Sequence, residues 1–347
     1  MQTALKQAVL LLAHGTPETI EEIPDYLRNV VSGRPIPQNV VEEIQHRYSL
    51  IGRSPLTEIT VEQARLVERE LAAAGSPVPV YVGMRNWRPY IPDVVRKMRA
   101  DGVEEAAVVC MAPQNSRTSV GLYRRAVESE AGGIRIDFTE GWAQHPLLAD
   151  AFAERLRPTW SNLSAEVGYP VPVLFTAHSV PCRTIQTPAP STAGPAEPRL
   201  WPGREVADPY AQDAKATAAL VAARLPEIPQ WWFAFQSQGA SGGPWTGPTV
   251  ESTLDSIAAS GVKTLILQPI GFLCDHVEIL YDVDILFRGY AANLGLRLER
   301  PPSLNASHTL ARTVADLARL GLTRLKVEGT TQLKVRIAGV QFPQHKA

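Results

Sequence analysis

Cysteine is scarce in this 347-residue chain: Cys110, Cys182 and Cys274 stand far apart and form no CxxC pair. An odd count without paired spacing builds no disulfide framework, and it fits free thiols in a reducing compartment. No set of four exists to hold an iron–sulfur cluster within one chain, so a cluster would need cysteines from a second subunit. A surplus of either charge is also missing, since 34 Lys and Arg against 35 Asp and Glu leave a net charge of −1. That balance offers no broad basic field to nucleic acid or to an anionic membrane. The first apolar run, AVLLLA from residue 8, is too short to span a bilayer. No GxGxxG follows it, and GxxxxGKS/T occurs nowhere, which weighs against nicotinamide and nucleotide roles. A soluble, cytoplasmic protein is the expectation, with no nucleic-acid partner and no stable membrane association.

What remains is ordinary globular composition, 45% apolar and 20% charged, in a chain long enough for two compact domains. Seven tryptophans and 29 prolines point to aromatic pockets and many turns. The two domains announce themselves as a repeat. VLLLAHGTP at residues 9–17 answers VLFTAHSVP at 173–181, each an apolar strand delivering Ala-His and then a small residue and proline. DGVEEAAVVCMAP, from Asp101, answers SGVKTLILQP, from Ser260. Strand-like segments at Val80–Arg85 and Phe233–Ser237 fall in corresponding places. Between the strands lie helical stretches at Thr57–Ala74, Tyr90–Ala100, Ala211–Leu225 and Val250–Ser260. Strands alternating with helices imply parallel sheets with right-handed crossovers, here in two tandem halves.

The segment QPIGFLCDHVEILYDVD, Gln268 to Asp284, changes period in its middle. VKTLILQP before it reads as a strand buried on both faces. Asp275, Glu278 and Asp282 after it stand three and four apart, with Val277, Leu280 and Tyr281 opposite, which predicts a helix with one acidic face. The bland account is a solvated face with Asp275 as N-cap. His276 beside Glu278 favours a site, as does the position at the carboxyl edge of a buried strand, where open α/β sheets place ligands. His178 ends a strand of the same half, so one edge can bring His178 and Glu278 together. One imidazole with one carboxylate, and no third strong ligand, makes a weak, open metal site suited to passing an ion on. The Pro- and Ala-rich stretch from Ile185 to Ala207 reads as a long loop overhanging that edge, and the alternating tail from Arg324 as a hairpin.

The motifs AHGTP, RYSLIGRSPLT, VYVGMRNWRPY, APQNS, AHSVP, DPY, FQSQG, GPWTGPT and QPIGFLCDHVEILYD occur here in the order in which they recur in ferrochelatases. From about residue 8 to 320 the sequence resembles that family, most closely its soluble, cluster-free bacterial members acting on coproporphyrin. The resemblance implies an α/β fold of two Rossmann-like halves, 1–150 and 151–322, enclosing a porphyrin cleft, with a tail at 323–347. It implies insertion of Fe²⁺ into a free porphyrin with loss of two protons, in haem biosynthesis. His178 would be the base and Glu278 the ligand of arriving iron, with Asp282 as a relay. Arg47, Tyr48, Ser54 and Tyr123 match positions that touch porphyrin or its carboxylates, and Arg47 would pair with a propionate. Trp87 and Trp245 are candidates for the cleft wall. No prosthetic group, no iron–sulfur cluster and a monomer are expected.

Three departures qualify the likeness. The residue before Gly-Thr-Pro, typically a tyrosine facing the iron in coproporphyrin-type members, is His14, which becomes a candidate axial ligand of product iron and a porphyrin contact. A basic position that helps grip propionates falls on Val31, with Arg28 and Arg34 as substitutes, and the acidic ridge ends at Leu286. Two rivals follow: a cobalt chelatase for a sirohydrochlorin-like ring, and a haem-binding protein without turnover in which His14 and His178 are opposed axial ligands.

Overall fold

The computed structural model describes residues 5–117, 119–182, 208–238 and 244–338, the side chains of 329–338 excepted. The stretch from Ile185 to Ala207, expected to overhang the site, lies outside the described residues. The first half runs β1 (Gln7–Ala13), α1 (Ile23–Val30), α2 (Gln38–Ile51), α3 (Leu56–Ala73), β2 (Val80–Met84), α4 (Ile91–Ala100), β3 (Glu105–Cys110), α5 (Val120–Glu128) and β4 (Arg135–Thr139). A long helix, α6 (Pro146–Val167), leads into the second half. There follow β5 (Val173–His178), α7 (Tyr210–Ala222), β6 (Trp231–Gln236), α8 (Val250–Ala259) and β7 (Thr264–Pro269). A single turn, α9 (Val277–Leu280), a π-helix (Asp282–Phe287), α10 (Arg288–Asn293), β8 (Arg297–Glu299) and α11 (His308–Ala338) complete the order.

Both sheets are four-stranded and parallel, in the orders β2-β1-β3-β4 and β6-β5-β7-β8. Each strand therefore has its counterpart four strands later, as the repeated motifs imply. A further correspondence is invisible as sequence: Met84 N–H donates to Pro89 O at 2.7 Å and Phe235 N–H to Pro248 O at 2.8 Å. The two bonds turn the chain at equivalent places, from β2 towards α4 and from β6 towards α8.

Alternation within an all-apolar strand sends residues to two buried layers. In β1, Ala8, Leu10 and Leu12 meet Ile91, Val95 and Met98 of α4, while Val9 and Leu11 face the opposite cluster. That opposite cluster joins the halves, because it also holds Phe152 and Leu156 of α6, Val173 and Phe175 of β5, and Val314 and Ala318 of α11. Each large side chain buried there contributes about 1.5–3 kcal/mol relative to exposure. The strand ends on the two sheets are thereby held in one fixed relation.

The hairpin expected from Arg324 onwards is not formed. α11 passes through that residue without a break and packs on α3, β3, β4 and α6. Leu310, Val314, Ala318, Leu322 and Leu325 are buried at three- and four-residue spacing, and this helical period overrides the short polar alternation that follows.

Candidate active site

β5 and β7 are adjacent, so the residue ending β5 and the loop leaving β7 meet at one sheet edge. His178 Nε2 lies 3.2 Å from Glu278 Oε1, and His276 Nε2 lies 3.4 Å from Glu278 Oε2. Gly271 makes the approach possible: a Cβ there would stand 2.9 Å from Cα and Cβ of Ala177, so only glycine lets the loop cross beside His178. His178 Nδ1–H donates to the carbonyl of Ser179, which aims Nε2 at the carboxylate. The Tyr210 hydroxyl donates to His178 O at 2.9 Å and fixes the backbone.

Burial disfavours charge on His178, yet the facing Glu278 carboxylate outweighs it and raises the imidazole pKa. Burial likewise opposes ionisation of Glu278, and the charge and hydrogen bonds of His178 and His276 overcome it, holding the carboxyl well below its ordinary range. The two groups thus favour each other's charged forms.

The opposite wall comes from the first half. His14 follows β1 directly and lines the same cleft, a cavity of about 350 Å³. Burial, then the Arg85 charge, lowers the His14 pKa to about 4, so this ring is neutral at neutral pH, and its shift is opposite in sign to that of His178. Tyr48 also lines the cleft and exchanges a hydrogen bond with Thr16 at 2.9 Å; burial pushes its phenol up to about 12. Ser54 and Tyr123 line it as well, and Ser54 Oγ is buried with no hydrogen-bond partner among the described residues.

Arg47 is placed elsewhere. It sits on α2 outside the cleft lining, with Nη1 3.2 Å from Asp282 Oδ1, Nε 3.0 Å from Glu43 Oε1, and its guanidinium 4.9 Å from the Tyr281 ring centroid. Arg28 pairs with exposed Asp25, and Arg34 bonds to the Val31 carbonyl; neither lines the cleft. Trp245 lines it, whereas Trp87 is buried behind, edge-on to Tyr26 at 6.2 Å.

The single acidic helix face is replaced by a split. Asp275 turns away to accept from Ser303 and Asn305 and to pair with Arg300, and His276 takes the N-cap position. After one α-turn the backbone widens into the π-helix, where Leu286 N–H bonds to Tyr281 O, five residues back. Counting in steps of three and four fails through such a turn. Asp282 ends up buried, accepting from Ser237 Oγ and facing Arg47. Burial and the Glu278 charge push its carboxyl up to about 6.

Several cleft residues received no role in the sequence reading: Tyr26, and Arg85, Gln114, Ser116 and Tyr210, which fall within quoted motifs. Arg85 directly follows β2, and Gln114 lies four residues past β3. Position just beyond the carboxyl end of a parallel strand was the usable signal.

Two parallel-sheet halves that close on an apolar cleft, with a histidine–carboxylate pair on one wall and a neutral histidine on the other, define a metal chelatase of the two-domain α/β type. The family model for ferrochelatase matches residues 6–321, and the chain belongs to the ferrochelatase family. A ferrochelatase of Acidobacterium capsulatum is 59% identical over 322 residues, covering 92% of this chain and 96% of that protein. A coproporphyrin III ferrochelatase of Mycolicibacterium vanbaalenii is 34% identical over 335 residues, covering 93% of each. Among solved structures, SirB from Bacillus subtilis with Fe³⁺ aligns over 91% of this chain and 95% of that one at 13% identity and a TM-score of 0.52, a likeness of fold alone.

Proposed function

We propose that this chain inserts Fe²⁺ into coproporphyrin III, releasing two protons, in haem biosynthesis. The observation that carries the reading is the contact of His178 with Glu278, 3.2 Å apart at the cleft wall, opposite a second, neutral histidine. Iron is a substrate here. A ferrous ion arriving on the Glu278 carboxylate offsets the charge that raises the His178 pKa, so the imidazole gives up a proton more readily once the metal is in place. The freed Nε2 then accepts a pyrrole N–H proton as iron enters, passes it on, and accepts the second. Asp282, buried one turn beyond Glu278, serves as the relay for ion or proton.

On the porphyrin, Ser54, Tyr48 and Tyr123 are the groups for the carboxylate rim, and buried Ser54 Oγ supplies a donor that a carboxylate oxygen satisfies. Arg47 acts on Asp282 rather than on a propionate, given its 3.2 Å contact. We take the enzyme to be a cytoplasmic monomer without a prosthetic group or iron–sulfur cluster. Among the described residues no helix is long and apolar enough to cross a membrane.

An anaerobic insertion assay tests the reading, with Fe²⁺ and Co²⁺ each offered against coproporphyrin III, protoporphyrin IX and sirohydrochlorin. Coproporphyrin with iron should give the highest kcat/KM. A higher value with protoporphyrin overturns the substrate assignment, preference for Co²⁺ with sirohydrochlorin overturns the reaction, and a halt after one equivalent marks a haem-binding protein instead.

A further inference from the structure

Gln236 ends β6 and is 1% exposed, and in the sheet register it stands directly beside His178, the last residue of β5. Its backbone carbonyl accepts from Ser179 N–H at 2.6 Å. Ser179 in turn offers the carbonyl that receives His178 Nδ1–H. The side chain reaches the other catalytic partner, with Nε2 3.1 Å from the Glu278 carbonyl and Oε1 2.6 Å from Thr176 Oγ1. A carbonyl oxygen only accepts, so the amide nitrogen must face Glu278, and the amide oxygen is left to the Thr176 hydroxyl. Thr176 is fully buried, and its own carbonyl accepts from Ile270 N–H at 2.8 Å, where the chain leaves β7 towards Gly271. These bonds close a ring from β6 through β5 and the β7 loop to Glu278. The next residue extends the hold. Ser237 takes φ +62, a left-handed conformation that residues with a Cβ rarely adopt. Its Oγ accepts from Gln236 Nε2 at 3.4 Å and donates to the Asp282 carboxylate.

Glu278 sits on α9, a helix of four residues. A single turn holds itself weakly, because few backbone bonds oppose the entropy of fixing it. A bond from outside the turn therefore has leverage on where Glu278 stands. Resting on the reading of His178 as the base and Glu278 as the ligand of arriving iron, we propose that Gln236 is a positioning residue that sets the separation of these two groups. Gln236 lies outside the cleft lining, so its side chain acts through the Glu278 backbone and not on the porphyrin. Thr176 holds the carboxamide in the one rotation that serves Glu278. The backbone half of the arrangement survives substitution and the side-chain half does not. Losing the amide lets the Glu278 turn drift while His178 stays anchored.

The test measures anaerobic Fe²⁺ insertion into coproporphyrin III by full-length Gln236→Met, Thr176→Val, the double variant and Glu278→Gln. Gln236→Met keeps the length of the side chain and Thr176→Val its shape, so each removes hydrogen bonds without opening a large void. Gln236→Met should lower kcat/KM for iron about tenfold, the lower end of the range for partners of metal ligands, with KM for porphyrin within about twofold of wild type. Thr176→Val should lower kcat/KM for iron by a smaller factor. The double variant should be no slower than Gln236→Met, since the threonine acts only through the carboxamide. With Glu278→Gln impaired, a wild-type kcat/KM for iron in Gln236→Met, or losses that multiply in the double variant, overturn the role given to Gln236. A matching rise in KM for porphyrin overturns it too, as the mark of a cleft that has loosened throughout. Should Gln236→Met fail to fold, a wild-type kcat/KM for iron in Thr176→Val is the result that overturns it. If Glu278→Gln itself keeps wild-type turnover, the reading on which the role rests is what fails.

Discussion

Arg47 and Asp282 join the two halves beside the cleft, Arg47 from α2 and Asp282 from the π-helix, with Nη1 3.2 Å from Oδ1. The contact matters because Asp282 is buried near Glu278, where burial and that like charge push its carboxyl up to about 6. Arg47 opposes the shift, since a cation favours the carboxylate form. If Asp282 works as an anionic relay, insertion at saturating porphyrin should decline as pH falls through about 6. Arg47→Ala removes the stabilising charge, raises the Asp282 pKa further, and should move that acid limb to higher pH. The profile of kcat/KM for iron against pH reads this directly, and an unmoved limb would remove Arg47 from any role in the relay. A propionate role for Arg47 would instead raise KM for porphyrin at all pH values.

His178→Ala and Glu278→Gln should each lower iron insertion on the order of 10²–10⁴-fold, the range of a lost general base. Neither opens a large void, and both side chains are about a third exposed. Melting should stay within about 4 °C of wild type, the shift expected for roughly 1 kcal/mol. Near wild-type turnover in either variant would remove that residue from the reaction.

His14→Ala should shift the visible spectrum of bound iron porphyrin and speed product release more than it slows single-turnover insertion. The ring stays neutral until pH falls to about 4, so its availability as a ligand should be constant from pH 5 to 8. A bound-product spectrum that titrates near pH 6.5 in the wild type, or one that His14→Ala leaves unaltered, contradicts axial ligation by this residue.

Gly271→Ala places a methyl 2.9 Å from Cα and Cβ of Ala177, and backbone cannot yield as a flexible side chain would. The loop must shift, at a cost of about 1–3 kcal/mol. Because the loop carries the chain from β7 to Glu278, the His178–Glu278 distance should change with it. Loss of insertion activity should exceed loss of stability. Equal activity in Gly271→Ala and wild type would show that the site tolerates a displaced loop.

The sequence by itself determined the halves, their parallel sheets and the pairing of His178 with Glu278. Continuous apolar strands such as AVLLLA and the recurrence of Ala-His at two strand ends are local patterns, and a common sheet edge follows from them. Tertiary structure decided the rest. Asp275 lies ahead of the helix, whose N-cap is His276, while Asp282 opens the π-helix, so the two acids, in step on an ideal helix, separate to Arg300 and Arg47. The protonation of His178 depends on how closely a carboxylate approaches it in a buried cleft, and sequence spacing does not encode that distance. His14 and Asn86 meet although 72 residues separate them, because β1 and β2 are neighbours in the sheet and their ends turn to the same side. Contacts of that kind depend on the relative placement of whole elements, which the shared core under α6 and α11 sets and no local pattern contains.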